Sequence, residues 1–250
     1  MHRAYGFSIR LALLALIAVS TVFADETTES TAVSSFAPKK DLLQQFDFFV
    51  DRIKKATKNE KSYTEKKRDQ VRLDAHSISV LAQCMSHHDS EFAEKKTATS
   101  ILAISRQLAE HSGDISKTQE LLAALESPTE TKGVEANWEP VVELSDLMQQ
   151  VPVIHNNLKR GINSRRFSRS IEKTAGLATS LATLAHVSML DDSYCSDEEE
   201  KSQWDAICIE MRDLSAKINV AVHNKDQDQA KSLNEKLHAA CNSCHEKFRD

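Results

Sequence analysis

The sequence predicts an all-α fold, and three observations lead to this prediction. The 250 residues include only five glycines and four prolines, so few positions interrupt regular structure. Clusters of β-branched residues separated by regular turn signals, which mark strands, are absent. Apolar residues instead recur at spacings of three and four, the period of an amphipathic helix. We therefore expect antiparallel helical bundles.

Residues 1–24 have the composition of a signal peptide. Arg3 and Arg10 give a basic start, Leu11–Val22 is a short apolar run, and Ala24 follows it at a suitable cleavage position. About 13 apolar residues are fewer than the roughly 20 that cross a bilayer. We predict an exported protein with no stable membrane insertion.

The rest of the chain divides into two helical blocks. Residues 25–39 are rich in Thr, Ser and acidic side chains without periodicity, which predicts a disordered tail. Helical patterns cover 40–127 and 139–250. The stretch between them, 128–138, contains Gly133 and is predicted to be a linker.

The two blocks share a sequence pattern. Asp41–Phe46 (DLLQQF) matches Asp146–Val151 (DLMQQV) at an offset of 105, and residues 75–90 match 178–193 at an offset of 103. Two amphipathic stretches can also match by chance, because Leu and Ala are common on apolar faces. We interpret the pattern as an internal duplication.

The second block ends in Cys241-x-x-Cys244-His245, the covalent attachment signature of haem c. Residues three and four apart share one face of a helix, so these side chains project together. The two thiols would form thioethers with the haem vinyl groups. The imidazole of His245 would bind the iron as the proximal ligand.

Other interpretations of the two cysteines are weaker. A thioredoxin-like pair needs a βαβ context and a helix N-terminus that lowers the thiol pKa, whereas Cys241 and Cys244 follow a long helical pattern. A structural zinc site needs a second ligand pair at short spacing, and none is near. A disulfide or an unassigned metal remains as an alternative to haem.

The first block lacks these residues. Thr129, Lys132 and Gly133 occupy the positions that align with the haem motif. We therefore predict two tandem antiparallel four-helix-bundle units. The second, 139–250, carries haem c, and the first, 40–127, is a degenerate haem-free copy.

Four helices are expected in the second unit. The first covers about 139–160, where Pro152 is expected to kink or restart it, and the second covers about 166–190. Ser196–Glu199 is a candidate capping box for the third helix, and Asp226 is expected to cap the fourth.

A four-helix unit with its only haem motif at the end of the last helix resembles the class II cytochromes c, the cytochrome c′ group. The resemblance covers 139–250, and its specific part is Cys241–Arg249. It implies haem c inside the bundle, His245 as proximal ligand and the first helix across the distal face. It also implies that Arg249 pairs with a haem propionate. Members of the family carry electrons or bind small gases, depending on the distal residue.

The distal ligand has two candidates. Met148 lies on the first helix of the unit, where a thioether ligand would favour electron transfer. His155 lies seven residues further on, on the same helical face. Each residue has a simpler interpretation, as core filler and as a surface histidine. If neither binds iron, a five-coordinate haem could bind a gas ligand such as NO or CO.

Three cysteines remain after haem attachment. Cys195 and Cys208 could pair in an oxidising compartment. Alternatively, Cys84 and Cys208 are small apolar residues that pack on helix faces.

Charge and motifs narrow the function. Without residues 1–24 the chain has 30 basic and 37 acidic residues, a net charge of −7, which disfavours nucleic acid and favours a partner with a basic face. Motifs of hydrolases and transferases are missing, so no enzymatic activity is predicted. We expect a periplasmic mono-haem cytochrome that carries single electrons between redox partner proteins. A gas-binding haem protein and a haem-free helical interaction module are the alternatives, and a homodimer remains open.

Overall fold

The computed structural model describes residues 31–130 and 137–248. Within these residues the protein is all-helical and contains no strand, which confirms the predicted fold class. No helix of this described part is long and apolar enough to span a bilayer. The predicted signal peptide and Arg249 lie outside the described residues. The described residues form eight α-helices: α1 Lys39–Thr57, α2 Glu65–Ser86, α3 Ala93–Glu110, α4 Ile115–Glu126, α5 Leu144–Ile162, α6 Ile171–Ser188, α7 Glu198–His223 and α8 Gln227–Phe248.

Aspartate caps fix the starts of the last two helices. Asp197 accepts a hydrogen bond from the backbone N–H of Glu200 at 2.9 Å, so the predicted cap before α7 falls on Asp197. Asp226 accepts one from the N–H of Gln229 at 2.9 Å, as predicted for α8. Such caps satisfy backbone N–H groups that have no partner inside the helix.

The expectation that α5 restarts at Pro152 is wrong. The helix continues from Leu144 to Ile162 with Pro152 inside it. Proline has no N–H, so the carbonyl of Met148 loses its usual partner one turn earlier. Packing of the buried face compensates, since Leu147, Ile154 and Leu158 are fully or almost fully buried.

Part of the predicted disordered tail, 25–39, is ordered. Residues Val33–Ser35 form a short 3-10 helix, and Phe36 is only 1% exposed. The ring of Phe36 lies 4.6 Å from that of His186 on α6. Asp89 accepts hydrogen bonds from both the backbone N–H and the hydroxyl of Ser34, at 2.7 and 2.6 Å. The prediction failed because a single buried anchor of this length produces no periodic pattern.

The helices pack in two sets with the same order of contacts. Within α1–α4, each helix contacts the next and α4 returns to α1; within α5–α8, the order is the same. Contacts of α1 and α2 with α5 and α6 join the sets. Residues Ala32–Asp250 form one compact unit, and buried side chains of both sets share one hydrophobic core.

Buried hydrogen bonds between the sets are reciprocal. The hydroxyl of Ser180 on α6 donates to Gln45 Oε1 on α1 at 2.9 Å. The amide of Gln150 on α5 donates to Ser77 Oγ on α2 at 3.0 Å. The sequence offsets align Gln45 with Gln150 and Ser77 with Ser180, so aligned residues exchange roles across the interface. Such reciprocity is the property of a two-fold symmetric contact.

Candidate functional site

The predicted haem motif lies on the last two turns of α8. Buried residues recur along this helix at Ala230, Asn234, Leu237 and Ala240, a spacing that turns one stripe toward the bundle. The motif continues that stripe: Cys244 is 9% exposed and Cys241 is half-buried. His245 is exposed beside them and also faces the space described next.

A cavity of about 260 Å³ lies between α5, α6, α7 and α8. Cys241, Cys244 and His245 line it, together with the predicted distal candidates Met148 and His155. The rest of the wall is largely apolar and includes Leu181, Trp204, Cys208 and Leu237, with Ser215 as a polar member. The fold therefore brings together residues that are about 90 positions apart in the chain.

A second cavity of about 460 Å³ adjoins the first. The two share Met148, Trp204, Cys244 and His245. Tyr194 also lines the second cavity, and this residue is 49% exposed, so the cavity reaches the surface there. Sites for small organic molecules commonly occupy roughly 300–1,000 Å³ and are mainly apolar. The two adjoining cavities together are of that size and character.

The contact between α5 and α8 indicates which of the two distal candidates lies at the level of His245. His155 packs against His238, with ring centroids 5.8 Å apart, whereas Leu144 clusters with Cys244 near the end of α8. The two helices are thus antiparallel. Met148 lies seven residues before His155 on α5, and His245 lies seven residues after His238 on α8. Met148 therefore lies at the level of His245 on the facing helix.

His155 lies about two turns deeper and has a partner. Its Nε2 forms a hydrogen bond with Asn234 Oδ1 at 3.1 Å. Burial lowers the pKa of His155, which favours the neutral ring. Of the two distal candidates, Met148 is therefore the one placed opposite His245.

Helix α7 supplies a wall that the sequence analysis did not assign to the site. Trp204 Nε1–H donates to the carbonyl of Ser188 at 3.0 Å, and its ring meets Phe248 edge-on at 5.3 Å. Cys208, one turn further on, is 3% exposed and clusters with Cys244. Residues 204, 208, 211 and 215 follow a spacing of four, three and four. This second stripe on the predicted helix was the signal that could have revealed them.

The thiols of the motif are held protonated. Burial raises the pKa of Cys244 to about 11 and also raises the pKa of Cys241. Their position near the end of α8 adds no stabilisation for a thiolate, since a helix C-terminus is the negative end of its dipole. A redox-active dithiol needs the opposite environment. The thioredoxin-like alternative is therefore disfavoured by burial and by position.

The wall of the first cavity includes a buried hydroxyl group, that of Ser215. Within the described part of the chain, Ser215 Oγ is buried without a hydrogen-bond partner. An unpaired buried hydroxyl costs about 1–3 kcal/mol. The cost would be relieved by a ligand that carries a polar group, such as a carboxylate or an axial ligand of a metal. A porphyrin carboxylate carries such a group, so this hydroxyl is compatible with the haem expected from the sequence motif.

The remaining cysteines pack and do not pair. All five cysteines are free thiols, so the Cys195–Cys208 disulfide considered from sequence is not formed. Cys84 and Cys208 are both buried, in agreement with the packing alternative. Burial raises the pKa of each. Among residues 31–130 and 137–248, no group of three or more His, Cys, Asp or Glu side chains is arranged to hold a metal ion.

Comparisons of the chain with protein-family models, curated proteins and solved structures found no match. The assignment of a function therefore depends on the residues of the site and on their geometry.

Proposed function

We propose that the protein is an exported, periplasmic mono-haem c-type cytochrome that transfers single electrons between redox partner proteins. One observation carries the proposal: the residues of Cys241-x-x-Cys244-His245 line the same apolar cavity as Met148, which lies at the level of His245 on the facing helix. A haem c held there would supply one-electron chemistry at its iron.

Five residues that line the cavity have specific roles in this proposal. Cys241 and Cys244 would attach the porphyrin covalently, and the imidazole of His245 would bind its iron. The thioether of Met148 would be the second protein ligand, which would favour electron transfer over ligand binding. Trp204 and the neighbouring apolar wall exclude water and lower the local dielectric constant, which tunes the potential of the bound cofactor.

We also propose that the chain consists of two tandem four-helix-bundle units, 40–127 and 139–250, joined by the linker 128–138. The repeated order of helix contacts supports this organisation. The reciprocal hydrogen bonds of Gln45 and Gln150 support it independently, because they join residues that the sequence offsets align. The first unit would then act as a haem-free structural partner of the second.

Gas binding at a five-coordinate haem is the second candidate function, and one observation favours it. The first cavity extends past Met148 to His155, so there is space beside the distal ligand. A side chain that is only partly packed in such a space can yield its position to a small gas such as NO or CO.

The decisive experiment is expression of the whole chain in a host with haem c maturation machinery. The proposal predicts a coloured protein whose mass has increased by one haem, and loss of this increase in Cys241→Ser/Cys244→Ser. Cys84→Ser is the matched control, because that thiol is buried in α2 and should leave attachment unchanged. A colourless protein of unshifted mass would favour the haem-free interaction module.

Optical spectra then separate the two haem functions. A low-spin ferrous spectrum that carbon monoxide does not change has both axial positions filled and favours the electron carrier. A high-spin spectrum that carbon monoxide shifts has an open position and favours the gas-binding alternative.

A further inference from the structure

The second cavity opens at an apolar patch on the surface. Tyr194 is 49% exposed, and Pro152, which lines the same cavity, is also exposed. Met148 and His245 line this cavity as well. We call the exposed residues Pro152 and Tyr194 the mouth. A cofactor bound to Cys244 would come closest to solvent here.

The segment that contributes Tyr194 to the mouth is acidic. Tyr194 belongs to the segment between α6 and α7, which carries Asp191 and Asp192 and leads to Asp197 and Glu198–Glu200. No lysine or arginine occurs in the sequence between Lys173 and Lys201. We call these six acidic residues the collar. An excess of one sign of charge around an opening attracts partners of the opposite sign.

Four of the six collar acids accept hydrogen bonds. Asp191 accepts from Ser193, Asp197 caps α7, Glu199 accepts from Gln203 Nε2 at 3.4 Å, and Glu200 accepts from the N–H of Ser196 at 2.8 Å. The carboxylates of Asp192 and Glu198 are exposed, and neither has a hydrogen bond or ion pair within the described residues. Their charge is therefore available to a partner.

Basic residues nearby only partly offset the collar. Lys201 is paired with Asp205 at 2.6 Å, and Arg72, which reaches Gln149 beside the mouth, is paired with Asp146. Lys247 is a further base, 5.4 Å from the ring centroid of Phe248. Arg72, His76 and Arg106 line a separate cavity together with Asp191, so the negative excess of the collar lies on the five acids from Asp192 to Glu200.

We propose that the mouth and its collar form the docking surface for a redox partner protein that presents a basic rim around an apolar centre. Apolar residues at the centre with charges at the rim are the usual anatomy of a protein interface. Complementary charge orients the encounter and increases its rate. This inference depends on the proposed function, since the electron must leave from the cofactor.

A second copy of this chain is a poor occupant of the same surface. Two collars would then face each other, and like charges placed opposite one another are unfavourable. The charge thus selects a basic partner rather than a homodimer at this face.

The test uses the full-length, haem-loaded protein and two small oxidants of opposite charge. Cobalt(III) tris-phenanthroline is a cation and hexacyanoferrate(III) is an anion. In both reactions one electron leaves the ferrous haem and reduces the metal complex, Co(III) to Co(II) or Fe(III) to Fe(II). The measured quantity is the ratio of the cation rate to the anion rate at low and high salt.

Two variants with equal changes in net charge are compared. Asp192→Lys/Glu198→Lys reverses the charge of two collar residues, one in the segment before α7 and one in the first turn of α7. Glu91→Lys/Asp228→Lys reverses a loop acid and a first-turn acid elsewhere. Asp228 is at the start of α8, about 25 Å along the helix from His245. We expect the collar variant to lower the ratio at least fivefold more than the control, and salt to remove the difference.

A basic polymer represents the partner surface. Poly-L-lysine should slow oxidation of the unchanged protein and of the control variant by cobalt(III) tris-phenanthroline, because it covers the collar with positive charge, and slow the collar variant much less. If both variants change the rate ratio equally, only net charge matters and the docking proposal fails while the cytochrome proposal stands. If the purified protein lacks haem, both fail together.

Discussion

The first four helices and the last four share an order of contacts but differ at one end. Helix α8 has 22 residues and carries the haem motif in its last turns, whereas α4 has 12 and ends at Glu126. Thr129, which aligns with Cys241, lies beyond that end. The first set therefore lacks the thiols, and α4 ends before the positions that align with them.

The interiors of the two sets also differ. The sequence offsets align Met148 with Leu43 and His155 with Val50, so the side chains of possible ligands are replaced by aliphatic ones. Ser188, which lines the cavity of the second set, aligns with Met85, which is fully buried in the first. One set thus buries apolar side chains where the other leaves a cavity. The same helical scaffold can serve packing or chemistry, depending on a few wall residues.

Replacing Met148 by leucine, the residue at the aligned position 43, is expected to have the largest effect. In Met148→Leu the distal thioether is lost, so we expect the haem-loaded protein to change from low spin to high spin and to bind carbon monoxide, which the unchanged protein does not bind. His155→Val is the matched control and should leave the spectrum unchanged, because Nε2 of His155 is already bonded to Asn234. A spectral change confined to His155→Val would reverse the ligand assignment.

The first set contains a buried carboxyl that the second lacks. Asp74 is fully buried between α1, α2 and α5, and the aligned residue is Leu177. Burial raises the pKa of Asp74 to about 7, although Arg52 at 3.2 Å partly opposes this. Between about pH 4 and 7 the folded state therefore holds a proton that the unfolded state has released. Stability from this group consequently decreases as the pH rises through that window.

The variant Asp74→Asn removes this dependence. Each pH unit in the window is worth at most about 1.4 kcal/mol. We expect the unfolding free energy of the unchanged protein, relative to Asp74→Asn, to fall by up to about 4 kcal/mol from pH 4 to pH 7, measured by urea unfolding. Parallel pH profiles for the two proteins would show that Asp74 keeps an ordinary pKa.

Gln45 and Gln150 make equivalent hydrogen bonds, but Gln45 packs against Gly176. Substitution of this glycine tests the difference. A Cβ at Gly176 would lie 2.2 Å from Nε2 of Gln45, whereas the position aligned with Gly176 holds Leu73. We expect Gly176→Ala to lower the unfolding free energy by about 1–2 kcal/mol, because it displaces a buried amide that holds Ser180.

Gly113→Ala is the control for this substitution. No heavy atom lies within 4 Å of its added Cβ, so urea unfolding should change by less than about 0.5 kcal/mol. Equal results for the two alanines would mean that Gln45 can move aside without loss.

Much of this architecture could be predicted from the sequence. The period of the apolar residues predicted helices, and aspartates predicted the starts of α7 and α8. The spacing of Cys241, Cys244 and His245 predicted that they share one face, and the three residues line one cavity. Local rules suffice for these features, because each depends on residues within one or two turns.

Features that depend on tertiary packing could not be predicted. The anchor at Phe36 has no period, and the buried pairing of Gln45 with Ser180 joins residues 135 positions apart. Continuation of α5 through Pro152 reflects packing that outweighs the lost hydrogen bond. The level of Met148 relative to His245 required the pairing of α5 with α8, which no single helix specifies.

Mass spectrometry of the full-length protein from a host that matures haem c tests the central claim most directly. The account predicts a mass increased by one covalently bound haem, with no increase in Cys241→Ser/Cys244→Ser. An unshifted mass for the unchanged protein, when a known c-type cytochrome is matured in the same host, would contradict it.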